Sequence, residues 1–286
     1  MHTPLSTCVA SLNQAAEAVW PAMAQTLADH PAAAMEGFSV EVLPSIGSTN
    51  AELMRRARSG PHGLAPTLLV AADQTAGRGR MGKTWLSQPG QSLTFSLLLP
   101  LQPAHWAGLS LAVGVSVADA LQPLLPPAAG EHLRLKWPND LWLHRAKLAG
   151  ILVETAHLGA GACVVVGVGI NIEAPVPDPT IAWTGVPPTS LRLHQPTLDI
   201  GAVLGAVAPA LLRDLLAFEA LGFSAFAQRF AQRDALRDLA LVLSDGTQGT
   251  GCGVDEQGAL LVLTAQGMQA VHSADVSVRP ALGAAP

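Results

Sequence analysis

The stretch Gly77-Arg78-Gly79-Arg80-Met81-Gly82-Lys83, with Gln74 just upstream, decides between two folds. Gly77, Gly79 and Gly82 match the G-x-G-x-x-G spacing of a dinucleotide-binding βαβ unit, in which the glycines open a helix directly after a strand. Here the chain continues Thr84-Trp85-Leu86-Ser87-Gln88-Pro89-Gly90, and its Pro and Gly oppose a helix at that place. A doubly wound fold is therefore set aside. Three of the seven residues are cations in a chain of formal net charge -5. Alternating glycines let a backbone approach a ligand closely, and the guanidinium fork suits phosphate or carboxylate. Either an anion-binding loop or a solvated loop with incidental arginines satisfies this segment taken alone.

Working outward, the chain has 286 residues, of which 49% are apolar, enough for a sizeable core in one large domain or a domain with a small appendage. The acidic balance gives no global electrostatic case for nucleic-acid binding. Cys8, Cys163 and Cys252 are too far apart for a disulfide framework or a zinc site, which points to thiols in a reducing compartment. No charged residue occurs from Trp85 to Ala118, but Gln88, Pro89, Gln91, Pro100, Gln102, Pro103 and His105 interrupt that run before it reaches membrane length. The N-terminus lacks a basic region followed by an apolar core, so no secretory signal is read there and the expected location is the cytoplasm.

Periodicity predicts helices over 12–27, 51–58, 105–121, 199–221 and 223–233. Strands are predicted over 38–43, 67–72, 92–99, 133–137, 140–143, 147–155 and 163–170. Thr49 and Glu52 have capping-box spacing at the start of the second helix. The 174–188 segment reads as a Pro-rich loop. From Leu239 to Arg279 short β-prone runs alternate with Asp245-Gly246, Asp255-Glu256-Gln257-Gly258 and Gln266-Gly267, which are hairpin signals. The expected architecture is α+β with a mixed, largely antiparallel sheet. Its divisions are a helical extension at 1–37, a main domain at 38–236 and a small β-domain at 237–286.

Two further stretches carry chemistry. Lys136-Trp137-Pro138-Asn139-Asp140 precedes Lys147-Leu148-Ala149-Gly150-Ile151-Leu152-Val153-Glu154, and each lysine stands at the edge of an apolar strand. A strand-borne lysine facing a cleft can stabilise developing negative charge, though a single one more often snorkels to water. Asp140 after Pro-Asn is also ordinary turn chemistry. In Val166-Gly167-Val168-Gly169-Ile170-Asn171, two glycines interrupt a strand, marking a bulge or close approach by a ligand or another backbone.

In order, Gly47-Ser48-Thr49-Asn50, Gln74 to Arg80, Lys136 to Asp140, Lys147 to Glu154 and Gly167 to Asn171 resemble the biotin protein ligases over roughly residues 40–280. The resemblance implies a catalytic domain related to class II aminoacyl-tRNA synthetases, followed by an SH3-like β-barrel. It implies adenylation of biotin by MgATP and transfer from biotinyl-5′-AMP to a lysine of a biotin carboxyl carrier protein, such as that of acetyl-CoA carboxylase. Some relatives carry an N-terminal DNA-binding repressor domain; the short, cation-poor segment before residue 38 leads us to expect none here, and no DNA or membrane partner.

By the same likeness, Ser48, Thr49, Asn50, Gln74, Arg78, Gly79, Arg80, Lys147 and Gly150 surround biotin. Arg80, Trp85, Lys136, Asn139, Gly169, Asn171, Trp183 and Arg279 approach ATP or the adenylate. Arg78, Arg80, Lys147 and Asp140 form the catalytic set, with Asp140 also the candidate for Mg²⁺. The family's loop commonly carries another cation where this chain has Met81. Dimerisation through strand edges, as in some relatives, is a further expectation. The rival readings are a lipoate or octanoate ligase or transferase of the same fold, and a non-catalytic biotin-responsive regulator.

Overall fold

The computed structural model describes residues 5–30, 37–60, 64–158, 161–174, 188–272 and 278–280. Its larger sheet has seven strands: β1 (Ser39–Leu43), β2 (Thr67–Ala71), β3 (Ser92–Leu99), β4 (Leu133–Lys136), β5 (Asp140–Leu143), β6 (Ala146–Leu158) and β7 (Gly161–Asn171). Their order is β1-β2-β3-β7-β6-β5-β4, and only the β1–β2 pair is parallel. The expected mixed, largely antiparallel sheet is thus what forms. β2 and β3 are buried along their whole length, which is why they read as unbroken apolar runs rather than alternating ones.

Helices cover the sheet. On one side lie α1 (Leu5–Ala28), α3 (Leu109–Leu121) and α5 (Ile200–Leu221), which pack on one another and on the sheet, with the one-turn α4 (Pro127–Gly130) after α3. α1 buries Cys8, Leu12, Ala15, Val19, Met23 and Leu27, a helical stripe that begins earlier than the expected Leu12 start because Cys8 also faces the core. α5 has the length and apolarity of a membrane span, but Val203, Leu204, Val207, Leu211, Leu215 and Phe218 place its apolar face against α1 and α3. Asp199 caps it, accepting the Gly201 and Ala202 N–H groups at 2.8 and 3.2 Å. On the other side, α2 (Thr49–Arg58) buries Leu53, Met54 and Ala57 against β2, β3, β6 and β7.

Two expectations shift in detail. α3 starts at Leu109 rather than His105, because the chain first turns at Gly108, where φ is +78° and the Phe223 ring fills the place of a Cβ. The capping box is not formed. Ser48 is the N-cap and accepts the Ala51 N–H at 3.4 Å, whereas Glu52 pairs with Arg55 and Arg56 at 2.8 Å. Thr49, one residue inside the helix, sends its hydroxyl to tertiary partners instead.

The second sheet comprises β8 (Ala240–Leu243), β9 (Gln248–Val254), β10 (Leu260–Thr264), β11 (Gly267–Val271) and β12 (Val278–Pro280), ordered β11-β10-β9-β8-β12 and antiparallel throughout. Gly246, Gly258 and Gly267 supply the positive φ values in its turns, as the hairpin signals predict. The β9–β10 turn docks on the larger sheet's helices. Trp137 Nε1 donates to Gly258 O at 3.0 Å, and a Cβ on Gly258 would come within 2.8 Å of Gly108 Cα. Short sheets of this size are marginal alone, so this docking contact matters to the β-domain's stability.

Candidate active site

Because β1 and β2 run parallel, their C-terminal ends leave the sheet side by side. The pairing continues beyond the strands through Thr75 N–H to Ile46 O at 2.9 Å and Ala76 N–H to Gly47 O at 2.8 Å. That brings the Ser48–Asn50 helix start against Gln74 and the Arg loop. A cavity of about 170 Å³ lies there, floored by β6 and β7 and closed by the β4–β5 turn.

The polar wall comes from α2. Ser48, Thr49 and Asn50 are buried. Gln74 Oε1 accepts both the Thr49 N–H at 2.8 Å and its hydroxyl at 3.1 Å. Asn50 lies over Gly167, where a Cβ would overlap its amide. The strand glycines therefore do mark close approaches, but by side chains. Gly150 and Gly169 make room for the Trp85 indole, whose Nε1 is buried without a hydrogen-bond partner.

The Arg loop is a tight hairpin. Trp85 N–H donates to Gly77 O at 2.9 Å, Gly79 N–H donates to Lys83 O at 2.7 Å, and Arg80–Gly82 forms one 3₁₀ turn. Met81, at φ +55°, stands exposed at its tip. Arg78 is exposed, whereas Arg80 is partly buried and reaches Asn139 Oδ1 at 3.5 Å. Burial pushes the Arg80 guanidinium below its usual value, with Asp140 acting weakly the other way. A desolvated cation of this kind gains most from an anionic partner.

The β4–β5 turn runs through a cis Trp137–Pro138 bond and sets Lys136 opposite Asp140. Asn139 Nδ2 donates to Ile151 O at 2.7 Å, fixing the turn to β6. Lys147 Nζ pairs with Asp140 at 2.8 Å and stands 5.9 Å from the Trp85 ring centre, while Lys136 lies 5.8 Å from that of Trp142. Among the described residues, five cations, Arg78, Arg80, Lys83, Lys136 and Lys147, line the cavity against one carboxylate, Asp140. Such a ratio suits a ligand carrying several negative charges.

Of the sequence-derived candidates, Ser48, Thr49, Asn50, Gln74, Arg78, Gly79, Arg80, Trp85, Lys136, Asn139, Asp140, Lys147, Gly150 and Gly169 all line this one cavity. Asn171 does not. Its amide donates to Lys147 O at 3.3 Å and Thr189 O at 3.0 Å, so it braces the backbone behind Lys147. Arg279 contributes backbone to β12 beside Val278, which lines the cavity; its side chain, and Trp183, lie outside what is described. Sequence reading missed Phe95, Ile151 and Val168, which add apolar surface to the cavity. It also missed Ser96 and Glu154, which hold the polar wall from behind. The available signal was a hydroxyl within the apolar 92–99 run and a lone carboxylate within 148–156.

The Biotin/lipoate A/B protein ligase family matches residues 43–171, and the Biotin protein ligase C terminal domain matches 243–279. Among curated relatives, the bifunctional ligase/repressor BirA of Escherichia coli is 36% identical over 241 residues, covering 80% of this chain and 70% of that protein. The biotin–[acetyl-CoA-carboxylase] ligase of Paracoccus denitrificans is 34% identical over 247 residues, covering 82% of this chain and 98% of its own length. Among solved structures, the Aquifex aeolicus biotin protein ligase in complex with biotin and ATP superposes with a TM-score of 0.69 at 30% identity, covering 85% of this chain and 99% of that one. Sheet, cavity and β-domain thus define a ligase of the biotin/lipoate class. Within it, this chain belongs to the biotin protein ligase family.

Proposed function

We propose that this chain uses ATP to join biotin to a lysine of a biotin carboxyl carrier protein through biotinyl-5′-AMP. The observation that carries the reading is the cavity itself: an uncharged polar wall at Thr49 and Gln74, with five cations and one carboxylate around the opposite side. A neutral head group fits the first, and a carboxylate beside a triphosphate fits the second.

In the first step a biotin carboxylate oxygen bonds to the α-phosphorus as the bond to pyrophosphate breaks. Arg78, Arg80 and Lys147 bring the two anions together and stabilise charge on the pentavalent phosphorus. Lys136 and Asn139 flank the phosphates, and the Trp85 indole, seated on Gly169, approaches the adenylate. In the second step the carrier's amine attacks the acyl carbon, the bond to the phosphate oxygen breaks, AMP leaves and the amine gives up a proton. Asp140, the one carboxylate in the cavity, is suited to orient that amine. Closure of the Arg loop keeps water from the mixed anhydride.

Among the described residues no group of three His, Cys, Asp or Glu side chains could hold a metal. Mg²⁺ arriving with ATP would be held mainly by the substrate's phosphates, with Asp140 as its candidate protein partner, and would neutralise charge on those phosphates. Catalysis belongs to 38–236, supported by the β-domain at 237–286. Beyond Ile151, whose backbone is taken by Asn139, β6 pairs only with β7 among the described residues, leaving a backbone edge that supports strand-to-strand docking of the carrier or a second copy. Three free thiols suit a cytoplasmic location.

The test is intact-mass spectrometry of an apo carrier domain incubated with this protein, MgATP and biotin, with lipoate as control. One biotinyl addition that requires ATP and is absent with lipoate is expected. Lipoylation, or no modification of a carrier that a known ligase does modify, sinks the reading in favour of the lipoyl-type or non-catalytic alternatives.

A further inference from the structure

We propose that Ser96 and Glu154, neither of which lines the cavity, are positioning residues that set the direction of the hydrogen bonds offered by Thr49 and Gln74. In doing so they make the wall complementary to a cyclic urea. The inference rests on the biotin-ligase reading and extends it to a specificity device behind the site.

Glu154 stands at one end of a continuous chain of contacts. Asn50 Nδ2 donates to Glu154 Oε2 at 2.9 Å and to Leu152 O at 3.3 Å. A carboxylate and a backbone carbonyl both only accept, so they leave the Asn50 amide one orientation. Its Oδ1 must then face Ser96, whose Oγ donates to it at 2.5 Å. Packing of Asn50 against Gly167, with no space for a Cβ between them, holds the amide in that plane.

A serine hydroxyl has one proton, and that of Ser96 is committed to Asn50. The 2.7 Å contact between Ser96 Oγ and Thr49 Oγ1 therefore requires Thr49 as donor. Gln74 Oε1, 3.1 Å from the same hydroxyl, shares its proton. Thr49 Oγ1 has no proton left and presents only lone pairs to a ligand. Gln74 Oε1 is also engaged by the Thr49 N–H at 2.8 Å, so the amide's remaining offer is its N–H groups. The wall thus combines an acceptor at Thr49 with a donor at Gln74. That pair complements the adjacent N–H and C=O of a urea, whereas a dithiolane has no N–H to give.

Ser96 is fully buried, and Glu154 acts through Asn50, so both influence ligand only through the relay. The full-length chain with Ser96→Ala, Glu154→Ala or Glu154→Gln is assayed for carrier biotinylation at varied biotin and varied ATP. Loss of the relay is expected to raise the biotin KM at least tenfold in Ser96→Ala and Glu154→Ala. It should leave kcat within threefold and the ATP KM unchanged. Glu154→Gln, which keeps an accepting oxygen, is expected to restore the biotin KM to within threefold of wild type. A merely structural role would lower kcat and the melting temperature without that split. Should Ser96→Ala fail to fold, the Glu154 pair decides alone, since that side chain lies nearer the surface. An active wild type whose biotin KM stays within twofold in the folded Ala variants overturns the relay by itself. A wild type that does not biotinylate a competent carrier overturns the ligase reading, and the urea assignment falls with it.

Discussion

Lys147 Nζ stands 2.8 Å from Asp140 Oδ1 across the β5–β6 pair, so one of the cavity's cations is held by the one carboxylate that lines it among the described residues. The pair is partly open to solvent, with 37% and 18% of the two side chains exposed, and an incoming anion can replace one partner without stranding a buried charge.

Lys147→Met is therefore expected to slow adenylate formation by about 10²–10³-fold, the range for loss of one group aimed at developing charge. Asp140→Asn, which leaves the cation in place, should have a smaller effect on that step. Biotin-dependent exchange of labelled pyrophosphate into ATP reads both. A Lys147→Met rate within tenfold of wild type removes the lysine from the chemistry.

The two loop arginines differ in setting. Arg80 is partly buried and desolvated, whereas Arg78 is exposed. Loss of hydrogen bonds to a charged group is worth about 1.5–3 kcal/mol, or roughly 10–150-fold. Arg80→Met should release free biotinyl-5′-AMP faster by about that factor, and Arg78→Met by less. Chromatography of adenylate freed from enzyme in the absence of carrier measures the difference; equal rates in the two variants would contradict this ranking.

Trp85 lies directly over Gly169, where a Cβ would overlap the indole. Gly169→Ala must displace the ring, and overpacking of this kind costs about 1–3 kcal/mol. The expected outcome is a shifted tryptophan emission and a kcat/KM for ATP lowered roughly tenfold, by the same energy scale. Unchanged emission and kinetics would mean that the ring does not rest on β7.

Away from the site, His132, His144 and His194 stack, with ring centres 4.4 and 4.9 Å apart. Desolvation beneath the stack, then the two neighbouring imidazoles, push the solvent-exposed His144 below its usual range. Its folded value is depressed, so the unfolded chain binds the proton more readily. The stability contribution is full above pH ~6.5 and is lost as pH falls through the folded value. Glu52, held at about 2 chiefly by its hydrogen bonds to Arg55 and then Arg56, adds a second loss in more acid solution. His144→Asn should flatten the melting temperature between pH ~7.5 and ~5.5, because asparagine tolerates the φ of +48° at this position. A variant with the wild-type slope over that window refutes the assignment.

Sequence reading found most elements because their signals are local. Ser92–Leu99 is an apolar run bounded by turn residues and forms a strand with those limits. The Asp-Gly and Gln-Gly turns after residue 239 mark hairpins that form where they stand. The Arg loop, the Lys136–Asp140 turn and the Lys147 strand are each legible as short segments, since glycine, proline and strand-edge lysine have few structural uses.

The structure adds most where a side chain chooses between a local and a distant partner. Thr49 has the spacing of a helix cap, yet Gln74 and Ser96, 25 and 47 residues away, take its hydroxyl. Asn171 appears free to meet a ligand until Lys147 O and Thr189 O are seen to occupy its amide. Gly167 and Gly169 announce a close approach in sequence, but only the structure shows Asn50 and Trp85 making it.

By itself, then, the sequence determined which segments form strands, helices and turns, and which short segments carry residue types suited to an anion. The tertiary structure decided which of them share one cavity, that Lys147 is held by Asp140, and that Ser96 and Glu154 stand behind the wall. The physical reason is range. Backbone propensity and burial periodicity act over a few residues, whereas a hydrogen bond's partner depends on sheet order, and it was the parallel β1–β2 pair within seven strands that brought Thr49 to Gln74.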